Sequence, residues 1–209
     1  MPDDAAGLLR QPTVRAKHAA SLIVLRFHDN EPHMLMGMRS AKHRFMPNRL
    51  VFPGGRVDRA DLTAPFATPL PPATAHSLRK KTNARLAHGL AAAAARELHE
   101  ETGLSLGHPP RLDGLHYLAR AVTPPGLPIR FNARFLVVEE RHVTGKLGGD
   151  GELEQLRFYS MTEALALELA LPTRRVLLRL QQWLALSETE RNTEMRTPVL
   201  IRDRGWIME

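Results

Sequence analysis

The chain has 209 residues, 43% hydrophobic and 24% charged, a balance that suits one globular domain with a sizeable core. It contains no cysteine, which excludes disulfides, thiolate metal sites and cysteine nucleophiles and fits a reducing compartment. A formal charge of +7 attracts anions, but the cations are dispersed and only 5% of residues are aromatic, so a phosphate-bearing small molecule fits better than nucleic acid.

No apolar run approaches the roughly 18 residues that span a bilayer, so a membrane is not expected as a partner. The opening MPDDAAGLLRQP lacks a basic segment followed by an apolar one, so no secretory signal is expected and a cytoplasmic location is.

Residues 19–27 are apolar and β-branched, the pattern of a buried strand. A polar turn from His28 to His33 leads into a returning strand at 34–39. Residues 40–49 are basic and irregular, and Leu50-Val51-Phe52 is a short strand ending at Pro53-Gly54-Gly55, where paired glycines permit a sharp turn. Four prolines within 62–72 exclude regular structure there. From about Ala73 to Thr102 the composition predicts a helix, with Gly89 as a point of interruption, small Ala91 to Ala95 suited to close packing, and Gly103 as the residue that ends it. Strands are predicted over 115–122 and 131–138, a glycine-rich loop over 141–152 ending in Asp150-Gly151-Glu152, and a further strand over 153–159. Ser160-Met-Thr-Glu163 is a capping box for a helix over 161–169, and Pro172-Thr173 opens another to about Leu186. The last twenty residues carry no clear pattern beyond apolar Val199 to Ile201. This order predicts an α/β (α+β) fold with helices packed on a mixed sheet.

Residues 96–104 read Arg-Glu-Leu-His-Glu-Glu-Thr-Gly-Leu. Glu97, Glu100 and Glu101 stand at i, i+3 and i+4, so a helix projects all three from one face. They repel one another, and they occupy the last turns, where the macrodipole is also negative. An acidic solvated surface is one reading of such a run. The other is a divalent cation, since Mg²⁺ or Mn²⁺ takes hard oxygen ligands.

Together, the Gly-Gly turn and the acidic run resemble the Nudix hydrolase signature, Gly-x5-Glu-x7-Arg-Glu-U-x-Glu-Glu-x-Gly-U with U aliphatic. Arg96, Glu97, Leu98, Glu100, Glu101, Gly103 and Leu104 match its second half, and Gly54-Gly55 its opening. The halves stand about 27 residues further apart than in the signature, and Asp61 occupies the position of its first glutamate. Arg39-Ser40, Arg44-Phe45-Met46-Pro47, Val51 to Gly55, Asp58 and Asp61, with Thr123-Pro124 and Arg130 to Phe135, resemble a Nudix group with a long insertion in this box that includes a peroxisomal coenzyme A diphosphatase.

The resemblance implies a Nudix fold, an α-β-α sandwich around a mixed sheet, as a single domain over 1–209 with an insertion at about 62–88 and C-terminal helices from about 161. It implies a metal-dependent pyrophosphohydrolase acting on a nucleoside diphosphate derivative. Coenzyme A or acyl-coenzyme A is one such substrate; ADP-ribose, NADH or a dinucleoside polyphosphate is the alternative. A non-catalytic ligand-sensing module is a third reading, against which the intact glutamates count. By the same resemblance Glu97, Glu100 and Glu101, with the Gly55 carbonyl, hold Mg²⁺ or Mn²⁺. Glu100 and Glu101 count among the catalytic groups, Arg96 orients Glu100, and Glu152 is the candidate proton acceptor. Asp61 is expected to be structural, Arg39 and Arg134 to meet substrate phosphate, and His43, His88 and His99 to serve packing or surface roles. The insertion, with its prolines and Arg79-Lys80-Lys81, is open to a lid, a specificity wall or a homodimer contact.

Overall fold

The computed structural model describes residues 14–40, 48–149, 151–193, 197–201 and 205–209. His43, Arg44 to Pro47 and Asp150, singled out above, lie outside the described residues.

Strand β1 (Lys17–His28) runs through the middle of the sheet, and its near-continuous apolar stretch is explained by burial on both faces. Leu22 and Val24 point into one apolar layer and Ile23 and Leu25 into the other, each at most 2% exposed. Full burial of such side chains contributes about 1.5–3 kcal/mol apiece. Asp29 and Asn30, both at positive φ, turn the chain into β2 (Glu31–Arg39), which pairs antiparallel with β1. The short strands β3 (Leu50–Val51) and β4 (Gly54–Arg56) follow; β3 pairs with β2, and β4 lies along β1 with Gly55 opposite Ala20.

Beyond β4 a 3₁₀ turn (Ala60–Thr63) precedes the proline-rich stretch, and α1 (Pro72–Arg79) starts with proline in its first turn. The single long helix expected from about Ala73 is two helices. Lys81 takes a left-handed conformation, and Asn83 caps α2 (Ala84–Thr102) by accepting the Leu86 amide at 2.8 Å. Gly89 does not interrupt α2. It lies where the 57–62 loop crosses, and a Cβ there would sit 2.7 Å from Leu62 Cδ2. Ala91 to Ala95 are all buried against the sheet.

The two-residue β5 (Leu104–Ser105) leads to β6 (His116–Val122) and β7 (Phe131–Glu139), an antiparallel pair that places β7 parallel to β1. The glycine-rich 141–152 region is not wholly loop: β8 (Thr144–Gly145) pairs with β5. β9 (Leu153–Ser160) joins β2, and the Ser160 hydroxyl accepts the Glu163 amide at the start of α3 (Met161–Ala166). The Glu163 side chain pairs with Arg157, so this is a simple serine cap and not a reciprocal box. α4 (Leu171–Leu184) buries Val176, Leu177, Leu180 and Trp183 on the sheet face opposite α2. The C-terminal stretch then forms α5 (Glu188–Thr193), β10 (Pro198–Ile201), parallel to β6, and β11 (Trp206–Met208).

The resulting main sheet has the order β11-β10-β6-β7-β1-β2-β3, with β4 and β9 attached to β1 and β2. Helices α1 and α2 cover one face and α3 and α4 the other, which is the expected α-β-α sandwich around a mixed sheet. The insertion packs against the domain. Thr74 donates to the Leu115 carbonyl at 2.8 Å, and the Thr68 hydroxyl donates to Asp113 Oδ1 at 2.9 Å while accepting the Leu112 amide at 2.8 Å. Among the described residues no helix is long and apolar enough to cross a membrane.

Candidate active site

The last turns of α2 bring the box glutamates against the β4 turn. Gly103 ends the helix in a left-handed conformation, φ 71°, which glycine adopts without steric cost. Gly55 has no room for a side chain, since a Cβ would stand 2.1 Å from Glu97 Oε1. The sequence's two separated halves therefore meet as backbone against carboxylate. Glu101, 3% exposed, accepts the Gly54 amide on Oε2 at 2.8 Å.

Arg96 organises the rest. Its Nη1 donates to Glu97 Oε1 at 2.9 Å and to Glu100 Oε2 at 2.8 Å. Its Nε donates to Asp61 Oδ1 at 3.0 Å, and its Nη2 to Asp61 Oδ2 at 3.1 Å and to the Arg56 carbonyl at 3.0 Å. Asp61, 3% exposed, also accepts the Asp58 amide at 2.7 Å. Asp61 thus both holds the Asp58 amide and anchors Arg96. The hydrogen bonds to Asp61, with the neighbouring carboxylates, hold Arg96 more firmly protonated than a free arginine.

The electrostatics of the glutamates are adverse. Burial pushes the Glu101 carboxyl up to about 8; repulsion from Glu97 and Glu152 adds to the shift, and the Gly54 amide and Arg39 oppose it. Glu97 is also raised, first by burial, then by Glu100 and Glu152, against the pull of Arg96. The charge of Arg39, at the end of β2, thus acts on Glu101, and that of Glu152, just before β9, on both Glu97 and Glu101. Among the described residues no three carboxylates or imidazoles are already gathered at ligand distance: Glu97 and Glu100 turn to Arg96, and Glu101 to Gly54. The donor set nonetheless fits a hard divalent ion. It offers carboxylate oxygens only, two of them held by burial and mutual repulsion in a state that a cation would relieve.

Arg134 is not part of this group. It is fully buried on β7, donating to the Asn132 carbonyl at 3.0 Å, and offers no surface to a substrate. Its place between β1 and β6 follows from sheet pairing, which the strand pattern alone does not reveal. His88 lies 2.8 Å from the Ala64 carbonyl and against Phe66, and His99 packs edge-on to His108, so both serve packing.

Residues 87–180 match the family model of the NUDIX domain. The span starts inside α2, downstream of the insertion, and includes the whole Arg96 to Leu104 run. A search of curated proteins finds no match. Solved structures share the fold. A NUDIX hydrolase from Alicyclobacillus acidocaldarius is 24% identical, with 79% of this chain and 90% of that one covered and a TM-score of 0.61. The NUDIX domain of Shewanella oneidensis NrtR, complexed with ADP ribose, is 11% identical, with 82% and 90% covered and a TM-score of 0.54. A MutT NUDIX hydrolase from Burkholderia pseudomallei is 16% identical, with 80% and 99% covered and a TM-score of 0.52. The family model thus lies across the acidic helix and its intact acidic run, and the chain shares the Nudix fold of these structures around both.

Proposed function

We propose that the chain cleaves the pyrophosphate bond of a nucleoside diphosphate derivative with Mg²⁺ or Mn²⁺ held by Glu97, Glu100 and Glu101, and that the Gly55 carbonyl adds a ligand. The observation that carries this reading is the closure of Gly54-Gly55 onto Glu97 and Glu101. Nudix hydrolases generally use such ions. A bound ion supplies positive charge to the phosphoryl oxygens, where negative charge develops as the bond breaks.

The protein's own residues divide the remaining work. Arg96 fixes the rotamers of Glu97 and Glu100, and Asp61 fixes Arg96. Glu152 accepts a proton from the attacking water. The water oxygen bonds to one phosphorus, the bond from that phosphorus to the bridging oxygen breaks, and the bridging oxygen departs with the other phosphate. Arg39 presents a cation to the substrate's diphosphate.

Within this class coenzyme A or acyl-coenzyme A is the substrate that the split box suggests. ADP-ribose is the second reading, because the NrtR domain of the same fold was solved with that nucleotide. A panel of coenzyme A, acetyl-coenzyme A, ADP-ribose, NADH and diadenosine polyphosphates, assayed with Mg²⁺ and with Mn²⁺, tests it. Release of 3′,5′-ADP from coenzyme A supports the first reading and release of AMP from ADP-ribose the second. Turnover that persists in excess chelator would overturn the metal role.

A further inference from the structure

Arg120 on β6 and Arg134 on β7 stand directly opposite each other in the sheet. Facing residues of an antiparallel pair have Cβ atoms about 4.5–5.5 Å apart, and like charges there repel. Both are buried, Arg120 at 6% exposure and Arg134 at none. Arg120 has a carboxylate partner, since its Nη2 donates to Glu209 Oε1 at 2.6 Å. Arg134 forms no ion pair among the described residues. Its Nη1 donates to the Asn132 carbonyl and lies 3.2 Å from His18 Nδ1. Burial and the Arg134 charge hold His18 toward its neutral form, so the imidazole acts there as an acceptor without a charge to offer.

Four buried atoms of this group have no partner among the described residues: Arg120 Nε, Arg134 Nη2, Tyr117 Oη and Glu209 Oε2. Three of them are donors or carry a donor hydrogen. Tyr117 stays protonated, because burial raises its pKa, and Arg134 feels the charges of Arg120 and Glu209 as well as the Tyr117 hydroxyl. Among the described side chains, two buried guanidiniums face one carboxylate, an excess of one positive charge. A buried ion without a counter-charge is strongly disfavoured.

We infer that Arg120, Arg134 and Tyr117 together form an internal binding site for a small monovalent anion of chloride size. Arg120 Nε, Arg134 Nη2 and the Tyr117 hydroxyl would donate to it. The anion would balance the second guanidinium and tie β6 to β7. The site belongs to the scaffold and uses no residue of the proposed hydrolytic group.

Thermal unfolding of the full chain in chelator, at constant ionic strength, compares sodium chloride and bromide with sodium gluconate. The expected result is a saturable rise in Tm with halide, of about 2–5 °C once the site is filled. Arg134→Met should abolish that dependence and Tyr117→Phe should weaken halide affinity by about 3–10-fold. Crystals soaked in bromide should show its anomalous signal between the two guanidiniums. Equal Tm in chloride and gluconate, or only water at that site in bromide-soaked crystals, would overturn the inference. Should Arg134→Met fail to fold, Tyr117→Phe and the bromide position still decide it.

Discussion

Arg96 reaches Asp61 through two hydrogen bonds, Nε to Oδ1 at 3.0 Å and Nη2 to Oδ2 at 3.1 Å. Thirty-five residues separate the partners in sequence. That two-point contact bridges the interruption in the signature: the insertion leaves and returns without parting the β4 turn from the end of α2. Because Arg96 also holds Glu97 and Glu100, the position of a buried aspartate is transmitted to two proposed metal ligands.

Asp61→Asn keeps the size of the side chain and removes its charge. The expected outcome is a 10–100-fold loss of kcat/KM together with weaker Mg²⁺ affinity, the usual scale for groups that orient ligands. Asp61→Glu restores much of it. Steady-state kinetics across a magnesium titration measure both, and an Asp61→Asn enzyme with wild-type metal affinity would rule out the orienting role.

Glu100→Gln should cut turnover by at least about 100-fold at saturating metal while circular dichroism and Tm change little, because Glu100 is half exposed and its only described partner is Arg96. Wild-type turnover in this variant would exclude Glu100 from the metal site.

The raised Glu101 carboxyl makes a signed prediction about pH. Its folded value, about 8, lies above its ordinary value of 4.5, so in that interval the folded state binds more protons than the unfolded one. Metal-free stability from this group is therefore full below about pH 4.5 and declines as pH rises through 8. A cation needs the ionised form, so Mg²⁺ affinity should climb over the same interval, with proton release on binding. Differential scanning of wild type and Glu101→Gln at pH 6 and 8.5, with chelator and with Mg²⁺, reads this out. In chelator at pH 8.5 the variant should melt about 5 °C or more above wild type, and it should gain little from Mg²⁺.

Glu152→Gln should lower kcat by about 100-fold or more at saturating metal, with small changes in KM and metal affinity. A kcat close to wild type would pass the proton-acceptor role to another group.

Thr68 joins the insertion to the 112–113 turn by its hydroxyl. Thr68→Val should cost about 1–2 kcal/mol of stability in chemical denaturation, with kcat unchanged. A large fall in kcat would show that the insertion shapes the reacting site.

Much of this was legible without coordinates because it is local. Helix periodicity alone puts Glu97, Glu100 and Glu101 on one face, and a Gly-Gly pair ending a strand marks a close backbone approach. The strands of the central sheet were visible in their apolar runs, within a few residues of β1, β2, β6, β7 and β9. The break between α1 and α2 was hidden, because Lys81 and Thr82 carry no strong breaker signal and the left-handed turn at Lys81 is imposed by the packing of both helices. Strands β10 and β11 were hidden too, since four- and three-residue strands are held by pairing with β6 and with each other more than by their own pattern.

Arg39 and Arg134 show the limit most clearly. Each is an arginine on a strand of similar character, and each suited a phosphate contact. The charge of one acts on Glu101, and the other is sealed within the sheet facing Arg120. By itself the sequence determined the acidic helix and the glycine turn, since those depend on residue type and spacing along one element; the reaction class was implied by the resemblance they carry. Only the tertiary structure decided which distant charges meet them, because alternation along a strand sets the face of a side chain, but the register and depth of the strand in the sheet set its surroundings.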